Sequence, residues 1–395
     1  MVQISSLMPV NDINGKEIQS QAPYVVKFGE KWYMYGVDMS SYTWPDVDPP
    51  FEYFDITCYS SPDLSSSSWK FEDTVLTGRY LESLNPATGA WPPRVLFNAK
   101  NNQYVLIARP CNNYGGVVNV FTSSTPTGRF VFHNAMQNIS SIGDLNVFVD
   151  TDGKGYLVGD YMPGRYTVVY QLNADYYGVN TPWLANTGTA IEGLGMVKHG
   201  GTYFIFGSGL TWWDPNDNFY LTAPSPAGPW TNRGLFVPQG SHTYDSQTWH
   251  VLSVSGSAGT TCVFIGQRWL HFYDGRQIWL PLVFNSNTTV ATMQWYDKWY
   301  LDAQTGAWSG TTVVNGRTPA LNAGGSSPRL LSHSLIAVPA GRFSLRVVNA
   351  AGVTVLRESG IGPTTRDLSR AGPGIHVVTV TCGAETVSKT FVTVK

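Results

Sequence analysis

The sequence predicts an all-β protein, a five-bladed β-propeller followed by a small β-sandwich. Three observations predict it. Of 395 residues, 43% are hydrophobic and only 13% charged, while 13% are aromatic and Gly (40) and Pro (24) are abundant. Ordinary domains carry about a quarter of charged residues, and disordered chains, coiled coils and helical bundles need more charge than this one has. Aromatic segments broken by frequent turns are the composition of packed sheets. Second, one hairpin-like pattern recurs five times. Third, the composition changes abruptly near residue 320.

The repeat is a polar turn followed by a short apolar strand. It reads Gly29-Glu-Lys-Trp-Tyr-Met-Tyr-Gly36, Asn101-Asn-Gln-Tyr-Val-Leu-Ile-Ala108, Asp152-Gly-Lys-Gly-Tyr-Leu-Val-Gly159, Gly200-Gly-Thr-Tyr-Phe-Ile-Phe-Gly207 and Gly259-Thr-Thr-Cys-Val-Phe-Ile-Gly266. Apolar strands precede most of these turns, as in Arg94-Val-Leu-Phe97 and Asn146-Val-Phe-Val149, so each unit contains a hairpin. Small-residue reversals ending in Trp or Phe follow several units, as in Pro226-Ala-Gly-Pro-Trp230. The spacings from Tyr33 to Tyr104, Tyr156, Tyr203 and Val263 are 71, 52, 47 and 60 residues. That suits blades of about 50 residues and four strands each. A β-sandwich with accidentally similar hairpins is the alternative; helices are excluded because the apolar runs are short and bounded by Gly.

The tail is built differently. Residues 320–395 hold eight basic and three acidic residues and two aromatics, Phe343 and Phe391, and no Trp or Tyr. Asn322-Ala-Gly-Gly-Ser-Ser-Pro328 reads as a linker. The expected domains are therefore a propeller over 1–310, a linker over 311–327 and a β-sandwich over 328–395. A net charge of −2 gives no electrostatic case for nucleic acid or an anionic membrane. No apolar run approaches the roughly 18 residues of a membrane span, and the opening Met1-Val-Gln-Ile-Ser-Ser-Leu-Met-Pro-Val10 is not a signal peptide as it stands. Cys58, Cys111, Cys262 and Cys382 show no metal spacing and read as buried thiols, with one disulfide left open.

A propeller places function at one end of its axis, where polar residues interrupt the innermost strands. Asp144 stands at the mouth of the third blade's first strand; its plain reading is a turn residue. Glu192 is the one acid in the apolar, Gly-rich opening of the fourth. A carboxylate placed there is paired or holds its proton, which is what a general acid needs; its plain reading is a structural ion pair. Gln247 and His250 open the fifth blade among aromatics, where they could equally satisfy local backbone groups. Carboxylates and aromatics around an uncharged funnel suggest carbohydrate chemistry, since sugar rings stack on indoles and phenols. Trp91, Tyr114, Thr211, Trp212 and Trp213 are the candidate sugar contacts, although most Trp in such a fold fill space between blades. No cofactor is expected; a calcium ion on the axis near His250 is compatible with the fold but has no ligand-spacing motif behind it.

Here a family resemblance becomes specific. Asp12-Ile-Asn-Gly-Lys-Glu-Ile18, Pro93-Arg-Val-Leu-Phe-Asn98, Asp144-Leu-Asn-Val-Phe-Val-Asp-Thr-Asp-Gly153, Ser208-Gly-Leu-Thr211 with Trp213-Asp-Pro-Asn216, Ser246-Gln-Thr248 and Ile278-Trp-Leu-Pro-Leu282 resemble glycoside hydrolase family 43, and within it the exo-β-1,3-galactanase subfamily. The resemblance implies a five-bladed propeller and hydrolysis with inversion. It implies that Glu192 is the general acid, that Asp144 adjusts it, and that Gln247 sits beside the attacking water. The usual base of the family falls at Gln21-Ala-Pro23 and is absent, as it is in the subfamily; Asp38 and Asp245 are the next candidates. Two acids of the subfamily pattern are replaced, at Trp91 and Val37, which bears on the galactan specificity. The wider family's α-L-arabinofuranosidase and β-xylosidase activities and a non-catalytic glycan-binding propeller are the alternatives. Ser344–Leu356 and Asp367–Val380 resemble a C-terminal sorting domain of type IX secretion substrates. That implies a secreted or cell-surface monomer acting on an oligo- or polysaccharide, with a tail that engages secretion machinery; a carbohydrate-binding module is disfavoured by the missing Trp and Tyr.

Overall fold

The computed structural model describes residues 1–395 except 9–10, 41–53, 85–89, 110–116, 140, 270–275, 286–288, 297, 311–328, 331–334, 369–370, 372–373, 383–384 and 394–395. The expected linker and Tyr114 lie outside the described residues, as does Cys111. The fold is all-β: of the described residues 58% are strand and 4% helix. It divides into two compact units, one of Met1–Thr211 with Pro215–Val313, the other of Val314–Lys395 with Trp212–Asp214.

Among its described residues the larger unit carries a three-stranded sheet and, in chain order, five larger antiparallel sheets. Sheet one runs Gln21–Phe28, Lys31–Val37, Ile56–Ser61, Lys70–Leu76. Sheet two runs Trp91–Asn98, Gln103–Arg109, Asn119–Ser123, Val131–Ala135. Sheet three runs Ile142–Val149, Gly155–Tyr161, Tyr166–Gln171, Ala185–Asn186, and sheet four Glu192–His199, Thr202–Ser208, Phe219–Ala223, Thr231–Leu235. Sheet five runs Gln247–Gly256, Gly259–Gln267, Gln277–Phe284 and then takes Leu7–Met8 from the start of the chain as its next strand. That closure, invisible to a repeat read in chain order, ties the first residues to the last sheet. Just beyond it, Val2–Ser5 pairs with Lys298–Leu301.

Each sheet is a meander because each strand is short, apolar and followed by a turn residue. Asn102 and Gly153, at φ +52° and +80°, make two of the tight turns between first and second strands. The first strand of each sheet packs on that of the next, and the fifth returns to the first, so five inner strands form a closed ring. Apolar clusters fill the spaces between sheets. One joins Leu96, Val105 and Ile107 to Leu145, Val147 and Leu157; another joins Val158 and Val169 to Leu194, Met196 and Ile205.

Polar side chains lace the ring from inside. The guanidinium of Arg94, in sheet two, is 1% exposed. It donates to the carbonyls of Leu145 in sheet three (3.1 Å), Trp249 in sheet five (3.2 Å) and Pro23 in sheet one (3.5 Å). It also lies over the rings of Tyr24 and Trp249. Asn146 Nδ2 donates to the carbonyls of Leu194 and Trp249, joining sheet three to sheets four and five. His250 Nε2 donates to Val25 O at 3.0 Å, joining sheet five to sheet one. Burial lowers the Arg94 pKa to about 9, with Tyr24 and Asp144 raising it, so the cation persists at neutral pH. Burial, with Arg94 beside it, pushes His250 down to about 3.

The smaller unit is one five-stranded antiparallel sheet among the described residues. Its long strand Leu335–Asn349 pairs with Thr354–Asp367 on one side and with Arg329–Leu330 and Gly374–Cys382 on the other; Glu385–Thr393 follows. Ile336, Val338, Phe343, Leu345, Val347, Val378 and Val380 form its core. Of the described cysteines, Cys58 and Cys262 are free, buried thiols, and Cys382 is buried.

Two outcomes follow from the ring. Arg94→Met fills the volume but takes this donor from the buried carbonyls of Leu145 and Pro23 and leaves Trp249 O with Asn146 alone, and should cost about 3–5 kcal/mol of unfolding free energy in chemical denaturation. His250 is held neutral in the folded state, whereas the unfolded chain protonates below roughly pH 6.5. Stability from this group is therefore complete above that pH and is lost as pH falls toward the folded value of about 3. Denaturation midpoints of His250→Gln and the parent should converge on acidification; parallel pH dependences would show that His250 contributes none of it.

Candidate active site

One local device recurs at the entry of every inner strand. The register between first and second strands shifts between Gln21 and Tyr24, Trp91 and Arg94, Ile142 and Leu145, Glu192 and Gly195, and Thr248 and His250. A bulge at the end of a strand bends it and re-aims its side chains. Five bulges thus lie at the same end of the ring, and Asp144, Glu192 and Gln247 lie in or just before three of them.

The bulge of sheet four carries the acid. Glu192 pairs with Ser208, whose hydroxyl donates to the Glu192 carbonyl at 2.9 Å. The next residue, Gly193, has φ +56°, and a Cβ there would lie 2.2 Å from Thr248 O of sheet five. Only glycine fits this close approach, and it fixes the backbone beside Glu192. The Gly193 amide donates to Asp144 Oδ2 at 2.8 Å. The other Asp144 oxygen lies 3.6 Å from Nη2 of Arg109, which is fully buried and whose Nε donates to Gly143 O at 2.5 Å. Glu192 Oε2 lies 3.5 Å from Arg165 Nη2, and that nitrogen is 3.2 Å from Asp160 Oδ2. Burial pushes Asp160 up to about 7, against the pull of Arg165. Glu192 and Asp144 keep 18% and 20% of their side-chain surfaces open, so both face solvent while anchored below.

Gln247 is 4% exposed. Its Oε1 accepts from Trp269 Nε1 at 2.7 Å, and its Nε2 donates to Thr211 Oγ1 at 3.4 Å. Thr211 Oγ1 also accepts from Asn216 Nδ2 at 2.7 Å. The amide is thereby oriented on both sides. Trp269 forms a cluster with Trp91 and Trp249, with ring centroids 5.1–5.9 Å apart. Trp91, proposed from sequence as a sugar contact, is 3% exposed and gives its ring to this floor. Trp212 is 72% exposed and Trp213 half-buried.

Gln21, where the resemblance puts the usual base, is 1% exposed, and among the described residues its side-chain amide makes no hydrogen bond. Of the further base candidates, Asp245 is buried with Arg268 3.8 Å away, and Asp38 Oδ1 accepts from the Ser40 amide at 2.8 Å. Among the described residues no group of three or more His, Cys, Asp and Glu is placed to hold a metal ion, and His250 Nε2 is spent on Val25. Sequence reasoning passed over Arg109, Asp160, Arg165 and Trp269. Asp160 and Arg165 are near neighbours in sequence, but only folding brings Arg165 onto Glu192. The available signal was Asp160 itself, a charge inside the apolar strand Gly155–Tyr161.

Two carboxylates of adjacent sheets linked through the Gly193 backbone, an amide held on both sides and a cluster of three tryptophans thus gather at the bulged ends of the inner strands. A model of glycosyl hydrolases family 43 matches residues 19–300, and the chain belongs to that family of glycosidases. Among solved structures, an exo-β-1,3-galactanase from Phanerochaete chrysosporium with β-1,3-galactotriose is 22% identical, with a TM-score of 0.70, covering 99% of this chain and 98% of that one. An exo-β-1,3-galactanase from Clostridium thermocellum is 23% identical, with a TM-score of 0.65, covering 98% of this chain and 82% of that one. A β-D-galactofuranosidase from Aspergillus niger is 29% identical over 209 residues, 49% of this chain, and the match spans 59% of that relative's length.

Gly193→Ala should test the anchoring of the acid. The added methyl meets Thr248 O and forces the backbone beside Glu192 to move. With Glu192 as a catalytic group, a displacement of about 1 Å is worth roughly 10²-fold in rate, so turnover should then fall by that order with a smaller change in KM. Unchanged turnover would show that the Gly193 backbone does not set the acid's position.

Proposed function

We propose that the five sheets are the blades of a five-bladed propeller and that the protein is an inverting, exo-acting glycosidase for β-1,3-galactan or a related plant side-chain glycan. The observation that carries this reading is the Gly193 amide bound to Asp144. It links Asp144 of sheet three to the residue after Glu192 in sheet four, and both carboxylates keep part of their surface open, which supports a shared role. Glu192 donates its proton to the departing glycosidic oxygen. Asp144 holds the Gly193 backbone and supplies the negative charge that favours the protonated form of its neighbour. Water attacks the anomeric carbon from the opposite face, with the Gln247 amide orienting it and its proton passing to solvent. Thr211 fixes that amide, and Trp212 and Trp213 are kept as the stacking surface for sugar. Family membership supports the hydrolytic class, and the galactanases among similar folds support the glycan.

A second reading, hydrolysis of a furanoside, is favoured by the likeness to the galactofuranosidase. For residues 328–395 we keep a β-sandwich with a sorting role, and hence a secreted or cell-surface protein; their lack of Trp and Tyr supports this over sugar binding.

Sugar release from β-1,3-galactan, arabinan, arabinoxylan and a galactofuranoside should show galactose from the first alone. Arabinose or furanosidic galactose as the main product would replace the first reading by the second. Glu192→Gln keeps the side chain's volume but cannot donate a proton. It should lower turnover by at least the 10²–10⁴-fold typical of acid–base groups, with binding of a galacto-oligosaccharide retained in calorimetry. Near-parental activity would exclude Glu192 as the donor.

A further inference from the structure

The strand pair that carries Asp144 also sends a cation to the acid of the next sheet. Asp160 is the last residue but one of Gly155–Tyr161, and its side chain is 3% exposed. The chain then turns through Met162–Arg165, with Arg165 at φ +47°, before Tyr166 begins the third strand. This turn aims Arg165 back over its own sheet and across to sheet four. One nitrogen, Nη2, lies 3.2 Å from Asp160 Oδ2 and 3.5 Å from Glu192 Oε2. Its other terminal nitrogen, Nη1, lies 3.6 Å from Met162 Sδ. Gly143 makes room for the arrangement: a Cβ there would stand 2.8 Å from Met162 Sδ and 3.1 Å from Asp160 Oδ2. The residue before Asp144 is therefore shaped by the carboxylate that holds Arg165.

We propose that Arg165 is a positioning residue for Glu192, seated on the buried carboxylate of Asp160, and that this pair governs how tightly Glu192 holds its proton. The proposal rests on the reading of Glu192 as the proton donor. A side chain that is 37% exposed would ordinarily extend its head into water. Here the guanidinium is fixed between two carboxylates, one buried and one open. Its two effects oppose each other. A cation 3.5 Å away favours ionised Glu192, whereas a proton donor must be protonated. Asp160 shares the guanidinium and so weakens that pull. The charged groups facing Asp160 are Arg165 and, across the sheet, Asp144 and Arg109; burial raises its pKa to about 7, so its own charge changes near neutral pH. Asp144 also acts on the Glu192 side, through the Gly193 amide.

Removing either member should move the acid in opposite directions. In the full-length protein, Arg165→Ala should shift the basic limb of kcat/KM upward by about one pH unit. Asp160→Asn should shift it downward, and Arg165→Lys should restore most of the parental profile. The same shifts should appear without substrate, in a carbon-13 titration of labelled glutamate carboxyls with the Glu192 signal assigned from Glu192→Gln. Unmoved titrations in Arg165→Ala and Asp160→Asn, or shifts of the same sign, would overturn the proposal, and a changed melting temperature alone would mark the pair as structural. If Asp160→Asn fails to fold, Arg165→Ala, at a partly exposed position, decides the matter. Parental activity in Glu192→Gln would instead sink the donor reading, and the carboxyl titration separates the two failures.

Discussion

A buried cation, Arg94, holds the centre of the ring. Arg94 reaches from one inner strand to the backbones of three others, and its guanidinium has the five donors and planar geometry to do so. Burying a guanidinium is costly, and here the cost is offset by carbonyl acceptors, two aromatic faces and the charge of Asp144. Because the acceptors belong to different sheets, the interaction works only when the ring is assembled. Asn146 and His250 extend the same logic to the remaining junctions. Apolar contacts between sheets supply most of the burial, but they are non-directional and would tolerate sliding. The axial hydrogen bonds fix the registry of each sheet against its neighbours.

That registry is what the site needs. Glu192, Asp144 and Gln247 come from three sheets, and each is placed by a bulge at the entry of its strand. The close approach of Gly193 to Thr248 O and the bond from its amide to Asp144 both cross sheet boundaries. A slip of one sheet would separate the acid from Asp144 without breaking any strand. The tryptophan cluster next to Gln247 is likewise shared, with Trp91 from sheet two, Trp249 from sheet five and Trp269 just after that sheet's second strand. Trp91, expected as a sugar contact, is 3% exposed. The residue stands at the site end of its strand, yet its ring is consumed by packing.

The strand content, the five repeated hairpins, the change of composition near residue 320 and the three polar residues at strand entries were all legible in the chain. They are local properties: alternation, turn residues and a lone acid in an apolar run are decided by neighbours a few positions away. The closure of sheet five by Leu7–Met8 was not legible, because it pairs residues some 270 positions apart and leaves no period. Neither was the contact of Arg165 with Glu192. Sequence could mark Asp160 as a charge in an apolar strand, but its partner is set by a turn of unusual backbone conformation and by the space left at Gly143. The sequence by itself determined which segments become strands and which residues interrupt them. Only the tertiary structure decided which interruptions meet, because that depends on the rotation between adjacent sheets, and the rotation is fixed by hydrogen bonds that form once all five are in place.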